Sequence, residues 1–123
     1  MDYLLVFIGA GFGGVMRFIT GKLAVGAAYF MTATFIVNLV GSFLIGVAAY
    51  VIKIKLGGAM SLQYWYLLVV GVLGGFTTFS SFSLDNLMLI QDGKYLFSIA
   101  YIGLTVVLGV SLCFTGYKLA SLL

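Results

Sequence analysis

The sequence predicts an all-α integral membrane protein with four transmembrane helices, and composition and charge spacing both support that prediction. Of its 123 residues, 63% are hydrophobic and only 7% are charged, whereas a soluble domain has about 25% charged residues. The long stretches without charge run over residues 3–16, 23–52, 56–84 and 95–117. A spanning helix needs roughly 20 mostly apolar residues. We therefore predict a single domain, 1–123, with helices at about 3–21, 32–52, 63–91 and 95–119. They are joined by short connections at roughly 22–31 and 53–62 and by a tight turn, QDGK, at 91–94.

The first predicted helix reaches spanning length if Arg17 lies near the membrane edge. The N-terminus, MDYLLVFIG, lacks the basic region and the small-residue cleavage site of a secretory signal, so we expect it to form the helix itself. A glycine cluster within this helix suits close helix packing. Arg17 is either a membrane anchor or a marker of an ion path, because charges inside membranes are rare.

Asn38 is a polar residue within the apolar second helix. An amide in hydrocarbon is costly unless it is hydrogen-bonded, so this side chain must face protein or water. Two interpretations follow: Asn38 joins two helices by a hydrogen bond, or its NH2 group offers donors to a passing anion. The residue by itself does not decide between them.

The stretch GGFTTFSSFS, from Gly74 to Ser83, places two glycines and five hydroxyl residues inside the third helix. Glycines followed by Thr77 and Thr78 can interrupt a helix in mid-membrane, where irregular backbone persists only inside protein or beside a cavity or ion site. A continuous helix whose hydroxyls bond back to preceding carbonyls is the alternative.

Aromatic and hydroxyl side chains recur near this stretch and in the fourth helix. Phe79 and Phe82 share one helical face, and the positive edge of an aromatic ring can attract a small anion. Ser81 adds a hydroxyl donor beside them. Tyr101 and Thr105 stack their hydroxyls at i, i+4 spacing. Each feature suits either helix packing or the solvation of an ion.

The basic residues are balanced between the two sides of the predicted bundle. One side carries Arg17, Lys22 and Lys94, and the other carries Lys53, Lys55 and Lys118. The positive-inside rule needs an excess to choose an orientation, so we predict that the chain inserts both ways up and that antiparallel dimers can form. Because these residues are scattered over the ends of the helices, they form no nucleic-acid-binding patch.

The chain lacks the residues that two other classes of protein need. An enzyme would need a base to activate a serine or cysteine nucleophile, and the chain has no histidine. Its single cysteine, Cys113, also excludes an intrachain disulfide. Small multidrug exporters couple transport to protons through a glutamate in the first helix, and this chain contains no glutamate.

The sequence resembles the Fluc (CrcB) fluoride channel family over essentially its whole length. The segments that carry the resemblance are GFGGVMRF around Arg17, NLVGSFLIG from Asn38, GGFTTFSSFSLD from Gly74, and Tyr101 with Thr105. The resemblance implies four-helix subunits with the third helix broken mid-membrane, assembled as antiparallel, dual-topology dimers in the cell inner (plasma) membrane. Two pores per dimer would export fluoride passively and selectively. A second subunit of identical sequence is the expected partner, and a paired, non-identical subunit remains open.

The resemblance also implies residue roles by matching position. Asn38 would be the amide donor of the pore, Phe79 and Phe82 would turn their ring edges to fluoride, and Ser81 would lie beside the ion path. Tyr101 and Thr105 would form a polar track, and Arg17 would lie near the aqueous vestibule. The backbone carbonyls of Gly74 and Thr77 would hold a central structural sodium ion shared by the two subunits. A non-transporting assembly subunit would not explain these residues together.

Three positions depart from the family pattern. Ser81 stands where threonine is more usual, and Asp85 stands where glutamate is common. Gly109 takes the next step of the track after Thr105, where many members carry serine. The last departure leaves the length of the polar track open.

Overall fold

The computed structural model describes the backbone of residues 1–24 and 29–123, and the side chains of these residues except 29–31 and 59–60. Every regular element in the described part is a helix. The predicted connection at 22–31 includes residues 25–28, which lie outside the described residues.

The first half of the chain forms two long helices, α1 (Asp2–Leu23) and α2 (Tyr29–Tyr50). Helix α2 continues into a π-helical segment, π1 (Val51–Leu56). Gly57 and Gly58 then turn the chain with φ values of 53° and 72°. Because a side chain is disfavoured in this left-handed region, glycine suits both positions.

The second half begins with α3 (Gly58–Tyr64), which continues through a π-helical segment, π2 (Trp65–Leu73), into the short α4 (Gly74–Phe76). Helix α5 follows at Phe79–Gln91, and α6 at Tyr95–Ser121. The turn between α5 and α6 is closed by the amide of Lys94, which donates to the carbonyl of Leu89 at 2.8 Å.

Four helical spans are long and apolar enough to cross a membrane, which confirms the predicted set of four. They are Asp2–Leu23, Thr32–Leu56, Ser61–Gln91 and Tyr95–Ser121. The second span runs past its predicted end at 52. It does so because lysine ammonium groups can reach the interface from within a helix, and Lys53 also places its ammonium 4.4 Å from the centre of the Trp65 ring.

Two helix pairs pack closely, α1 against π2 and α4, and α2 against α6. Glycine permits both contacts: a Cβ at Gly9 would meet the backbone of Leu67 and Gly71, and a Cβ at Gly46 would meet the backbone of Cys113. Within the glycine cluster of α1, only Gly9 and Gly13 lie at the contact. Gly11 and Gly14 have open space beside them.

The outer surfaces of α1 and α6 are largely apolar and exposed in the single subunit. Large exposed side chains include Tyr3, Phe7, Phe12, Phe97 and Phe114. An apolar surface of this extent is typical of a helix that faces lipid or another subunit.

Candidate functional site

The helical backbone is interrupted at Thr77 and Thr78, between α4 and α5. Thr77 has φ −80° and ψ 160°, and Thr78 has φ −154° and ψ 115°, so both residues are extended. Thr77 closes the preceding turn, because its hydroxyl donates to the carbonyl of Leu73 at 2.8 Å. Two extended residues therefore separate α4 from α5.

Asn38 binds the extended backbone of Thr78 through both ends of its amide group. The Thr78 N–H donates to Asn38 Oδ1 at 2.8 Å, and Asn38 Nδ2 donates to the Thr78 carbonyl at 3.0 Å. The first bond fixes which side of the amide is oxygen. Because an amide nitrogen carries two hydrogens, one N–H of Asn38 remains after the bond to Thr78.

Thr78 also caps the N-terminus of α5 with its side chain. Its Oγ1 accepts from the Ser81 N–H at 3.1 Å and donates to Ser81 Oγ at 3.1 Å. A threonine cap of this kind satisfies one of the free amides of the first helical turn. The structure thus places Ser81 against the cap.

The two diverted amides leave two carbonyls without their helical donors. In a continuous α-helix the N–H of Thr78 would bond to the Gly74 carbonyl, and the N–H of Ser81 to the Thr77 carbonyl. Here Asn38 and the Thr78 hydroxyl receive those amides instead. Arg17 Nη1 lies 3.4 Å from the Thr77 carbonyl oxygen, so the structure brings the only arginine to the interruption.

A groove of about 490 Å³ runs beside the interruption, lined by residues of α2, π2, α4, α5 and α6. We call it the central groove. It brings together most of the predicted site residues, and its lining includes Asn38, Gly74, Thr77, Phe79, Phe82 and Thr105. The Thr105 hydroxyl is buried there and has no hydrogen-bond partner among the described residues. Arg17, Ser81 and Tyr101 are not part of this lining.

The two phenylalanines differ sharply in exposure although they share one face of α5. Phe82 is 8% exposed, whereas Phe79 is 79% exposed. Their ring centres lie 5.7 Å apart, and Phe82 lies 5.2 Å from the ring centre of Tyr101. The rings are tilted by 44° and 55°, so neither pair is stacked in parallel.

Tyr101 joins a polar cluster that sequence reasoning missed. Its hydroxyl donates to Asp85 Oδ2 at 3.1 Å, and Asp85 is only 5% exposed. One residue further on, Asn86 donates to the Phe82 carbonyl at 2.8 Å and accepts from Ser98 Oγ at 2.9 Å. These polar residues in an apolar helix could have signalled buried partners, but the pairing itself requires knowing how α5 and α6 pack.

Tyr101 also lines a second groove, of about 510 Å³, together with Thr32 and Phe35. Tyr101 and Thr105 therefore lie one turn apart on α6 and border different grooves. The ring of Phe82 packs against Tyr101 and lines the central groove, so it lies between the central groove and the second groove.

Together, the four spanning helices and the groove beside a helix interruption define a small, multi-pass integral membrane protein. The family model described as CrcB-like protein, Camphor Resistance (CrcB), matches residues 4–117. The chain therefore belongs to the CrcB family, as its sequence motifs indicated.

The relatives of this chain share most of its length. It is 42% identical to the fluoride-specific ion channel FluC of a Thermus thermophilus strain, over 98% of this chain and 96% of the relative. It is 40% identical to the FluC of a Coxiella burnetii strain, over 100% and 97% of the two chains. The FluC of Oceanobacillus iheyensis is 36% identical, over 97% and 91%. Because these relatives are named as ion channels, the expectation of a non-enzyme is confirmed.

Proposed function

We propose that this protein is a passive, fluoride-selective channel that exports fluoride from the cell, and that the central groove forms part of its ion path. The observation that carries the proposal is the amide of Asn38. Two hydrogen bonds to Thr78 orient it, one of its N–H groups is free of those bonds, and the residue lines the groove. The names of the relatives supply the identity of the ion.

The other groups along the groove suit a small anion that must shed its water. The unpaired hydroxyl of Thr105 offers a donor, and the tilted rings of Phe79 and Phe82 offer positive edges. Weak donors of this kind bind an ion firmly enough to enter and loosely enough to leave. In our proposal Ser81 and Tyr101 border the same path outside the central groove, and Arg17 attracts anions from the vestibule toward the interruption, where it binds the Thr77 carbonyl.

We also propose that the carbonyls of Gly74 and Thr77 hold a structural sodium ion. Both have lost the amide donor of a continuous helix, and carbonyls of unwound helices are suitable sodium ligands. Among the described residues there is no group of three or more histidine, cysteine, aspartate or glutamate side chains that could hold a metal, so a sodium site here would rely on backbone oxygens. The guanidinium of Arg17 shares the Thr77 oxygen, which limits sodium to the carbonyl's other lone pair.

The active form in this proposal is an antiparallel, dual-topology dimer with two pores, and the interruption at Thr77 and Thr78 lies in mid-membrane. Three basic residues on each side give no preferred orientation. The exposed ring of Phe79 would gain its cover from the second subunit. Two subunits would contribute four carbonyls to one shared sodium ion.

Passive export needs only the membrane potential. Fluoride enters cells as neutral hydrogen fluoride at acidic pH, ionises and is trapped. A potential of 100 mV is worth about 2.3 kcal/mol per charge, which supports roughly a fifty-fold lower internal concentration. A channel therefore suffices, without a nucleotide site or a coupling carboxylate.

Fluoride efflux from liposomes that contain the purified protein tests the proposal, with chloride efflux measured under the same gradient. We expect fast fluoride release and negligible chloride release. Phe82→Ile keeps an apolar side chain but removes the ring edge, so it should abolish most fluoride release. The matched control is Phe114→Ile, an exposed ring on α6 that lines neither groove. Equal release of both anions, or release unaffected by Phe82→Ile, would contradict the proposed path.

A further inference from the structure

Two helix faces border the central groove opposite one another. On α2, Asn38 and Ser42 are four residues apart, and on α6, Thr105 and Gly109 are four residues apart. All four residues line the groove. Residues at this spacing lie one above the other on a helix, so Ser42 continues the line of Asn38 by one turn, as Gly109 continues that of Thr105.

The Ser42 hydroxyl makes no bond to its own helix, unlike several other helical hydroxyls of this protein. A serine or threonine inside a helix commonly donates to the carbonyl four residues earlier. Thr20, Ser83 and Thr115 all do so, with distances of 3.0, 2.9 and 2.8 Å. Ser42 makes no such bond and has no other hydrogen-bond partner among the described residues. It is half-buried, so its donor is left to the groove.

Gly109 leaves space on the opposite helix, and Ser42 is the group beside that space. A Cβ placed on Gly109 would lie 3.4 Å from Ser42 Oγ, with no other neighbour within 4 Å outside the glycine's own helix backbone and its two chain neighbours. The wall of the groove at this height is thus formed by a hydroxyl from α2 and by bare backbone from α6. A serine at position 109 would bring its hydroxyl to the side of the groove that faces Ser42 Oγ.

We propose that the Ser42 hydroxyl is a further donor to the permeating fluoride ion, and that it supplies from α2 the donor that Gly109 cannot supply from α6. The inference rests on the proposed channel function. A fluoride ion that leaves the buried hydroxyl of Thr105 would meet Ser42 one helical turn further along the groove. The path of hydroxyl donors then crosses from α6 to α2 at this level.

The test moves the hydroxyl from one helix to the other and measures fluoride efflux from liposomes. Ser42→Ala should lower fluoride efflux about ten-fold, which corresponds to the loss of about 1.4 kcal/mol from one hydrogen bond to the ion. Adding Gly109→Ser to Ser42→Ala should restore most of the efflux. Adding Gly109→Ala to Ser42→Ala restores the volume but no donor, so efflux should stay low.

Controls separate this inference from the proposed function itself. Ser111→Ala removes a hydroxyl from an exposed position of α6 outside the groove, and its efflux should equal that of the unchanged protein. Only protein that elutes at the same volume as the unchanged protein on size-exclusion chromatography is used, and the variants are compared at equal protein amounts. If Ser42→Ala fails to fold, Ser42→Cys keeps the shape with a weaker donor and should also lower efflux.

Three results would overturn the inference. Ser42→Ala could release fluoride as fast as the unchanged protein while Phe82→Ile does not, which would leave the channel intact and remove Ser42 from the path. If Gly109→Ala restored efflux as completely as Gly109→Ser, the loss in Ser42→Ala would be due to side-chain volume and not to the missing donor. No fluoride release from the unchanged protein would overturn the channel proposal, and the inference with it.

Discussion

Replacing Asn38 by alanine removes the one side chain that satisfies both backbone groups of Thr78. The Thr78 N–H and carbonyl currently bond to Asn38 at 2.8 and 3.0 Å, and Thr78 is 7% exposed. A buried polar group left unpaired costs about 1–3 kcal/mol. Two such groups would cost about 2–6 kcal/mol, and we expect the lower half because water can enter the adjoining groove.

The unfolding of the protein in mixed micelles, as SDS is added, measures this loss. Trp65 is the only tryptophan and reports unfolding by its fluorescence. Protein concentration is held constant, since the stability of an oligomer depends on it. Ser83→Ala is the matched control, because it removes an exposed hydroxyl that bonds only within α5, and it should change stability by less than about 0.5 kcal/mol. Equal midpoints for Asn38→Ala and Ser83→Ala would refute the role of this amide.

Four further predictions use the same unfolding assay. Thr78→Val removes the cap of α5 and should cost about 0.5–2 kcal/mol, while Thr78→Ser should cost less; equal losses would argue against the cap. Tyr101→Phe takes the hydroxyl donor from the buried carboxylate of Asp85 and should cost about 1–3 kcal/mol, and no loss would mean that water replaces the hydroxyl. Gly46→Ala should cost about 1–3 kcal/mol because its Cβ would meet the backbone of α6, whereas Gly103→Ala, with open space beside it, should not destabilise. Sodium chloride should stabilise the protein more than equal potassium chloride if the freed carbonyls bind sodium, and identical midpoints in the two salts would count against that site.

The four helices could be predicted from the sequence because charge spacing in a membrane protein reports span length directly. A charged side chain is costly inside the bilayer, so the gaps between charges mark the spans. In the structure the helix continues to Leu56, past the Lys53 that this reasoning took as its boundary. A lysine stem can stay within the helix while its ammonium reaches outward, and here the ammonium also rests on Trp65.

The site was predictable only as a set of residue types. Asn38 stood out because an amide is rare in an apolar helix, but two uses of it remained open. The structure shows that it bonds to Thr78, and this bond still leaves one N–H for the groove. Such a partner forty positions away cannot be found from local spacing. The same holds for the pairing of Tyr101 with Asp85.

The position of Ser42 in the groove could not be predicted from the local sequence pattern. In the sequence it is one serine between glycine and phenylalanine in an apolar segment. Only the packing of α2 on α6 places its unpaired hydroxyl beside the open backbone of Gly109. The effect of Gly109 on the proposed ion path thus depends on Ser42 of the neighbouring helix α2.

Passive fluoride conduction is the central claim, and one measurement on proteoliposomes tests it most directly. A potassium diffusion potential of about 100 mV is imposed with valinomycin, and the final ratio of fluoride across the membrane is measured with and without a pH gradient. A passive channel predicts roughly a fifty-fold ratio at this potential, set by voltage and unchanged by the pH gradient. A ratio that follows the pH gradient would show proton-coupled transport, and an absence of fluoride redistribution would show that this protein does not conduct fluoride; either result would contradict the account.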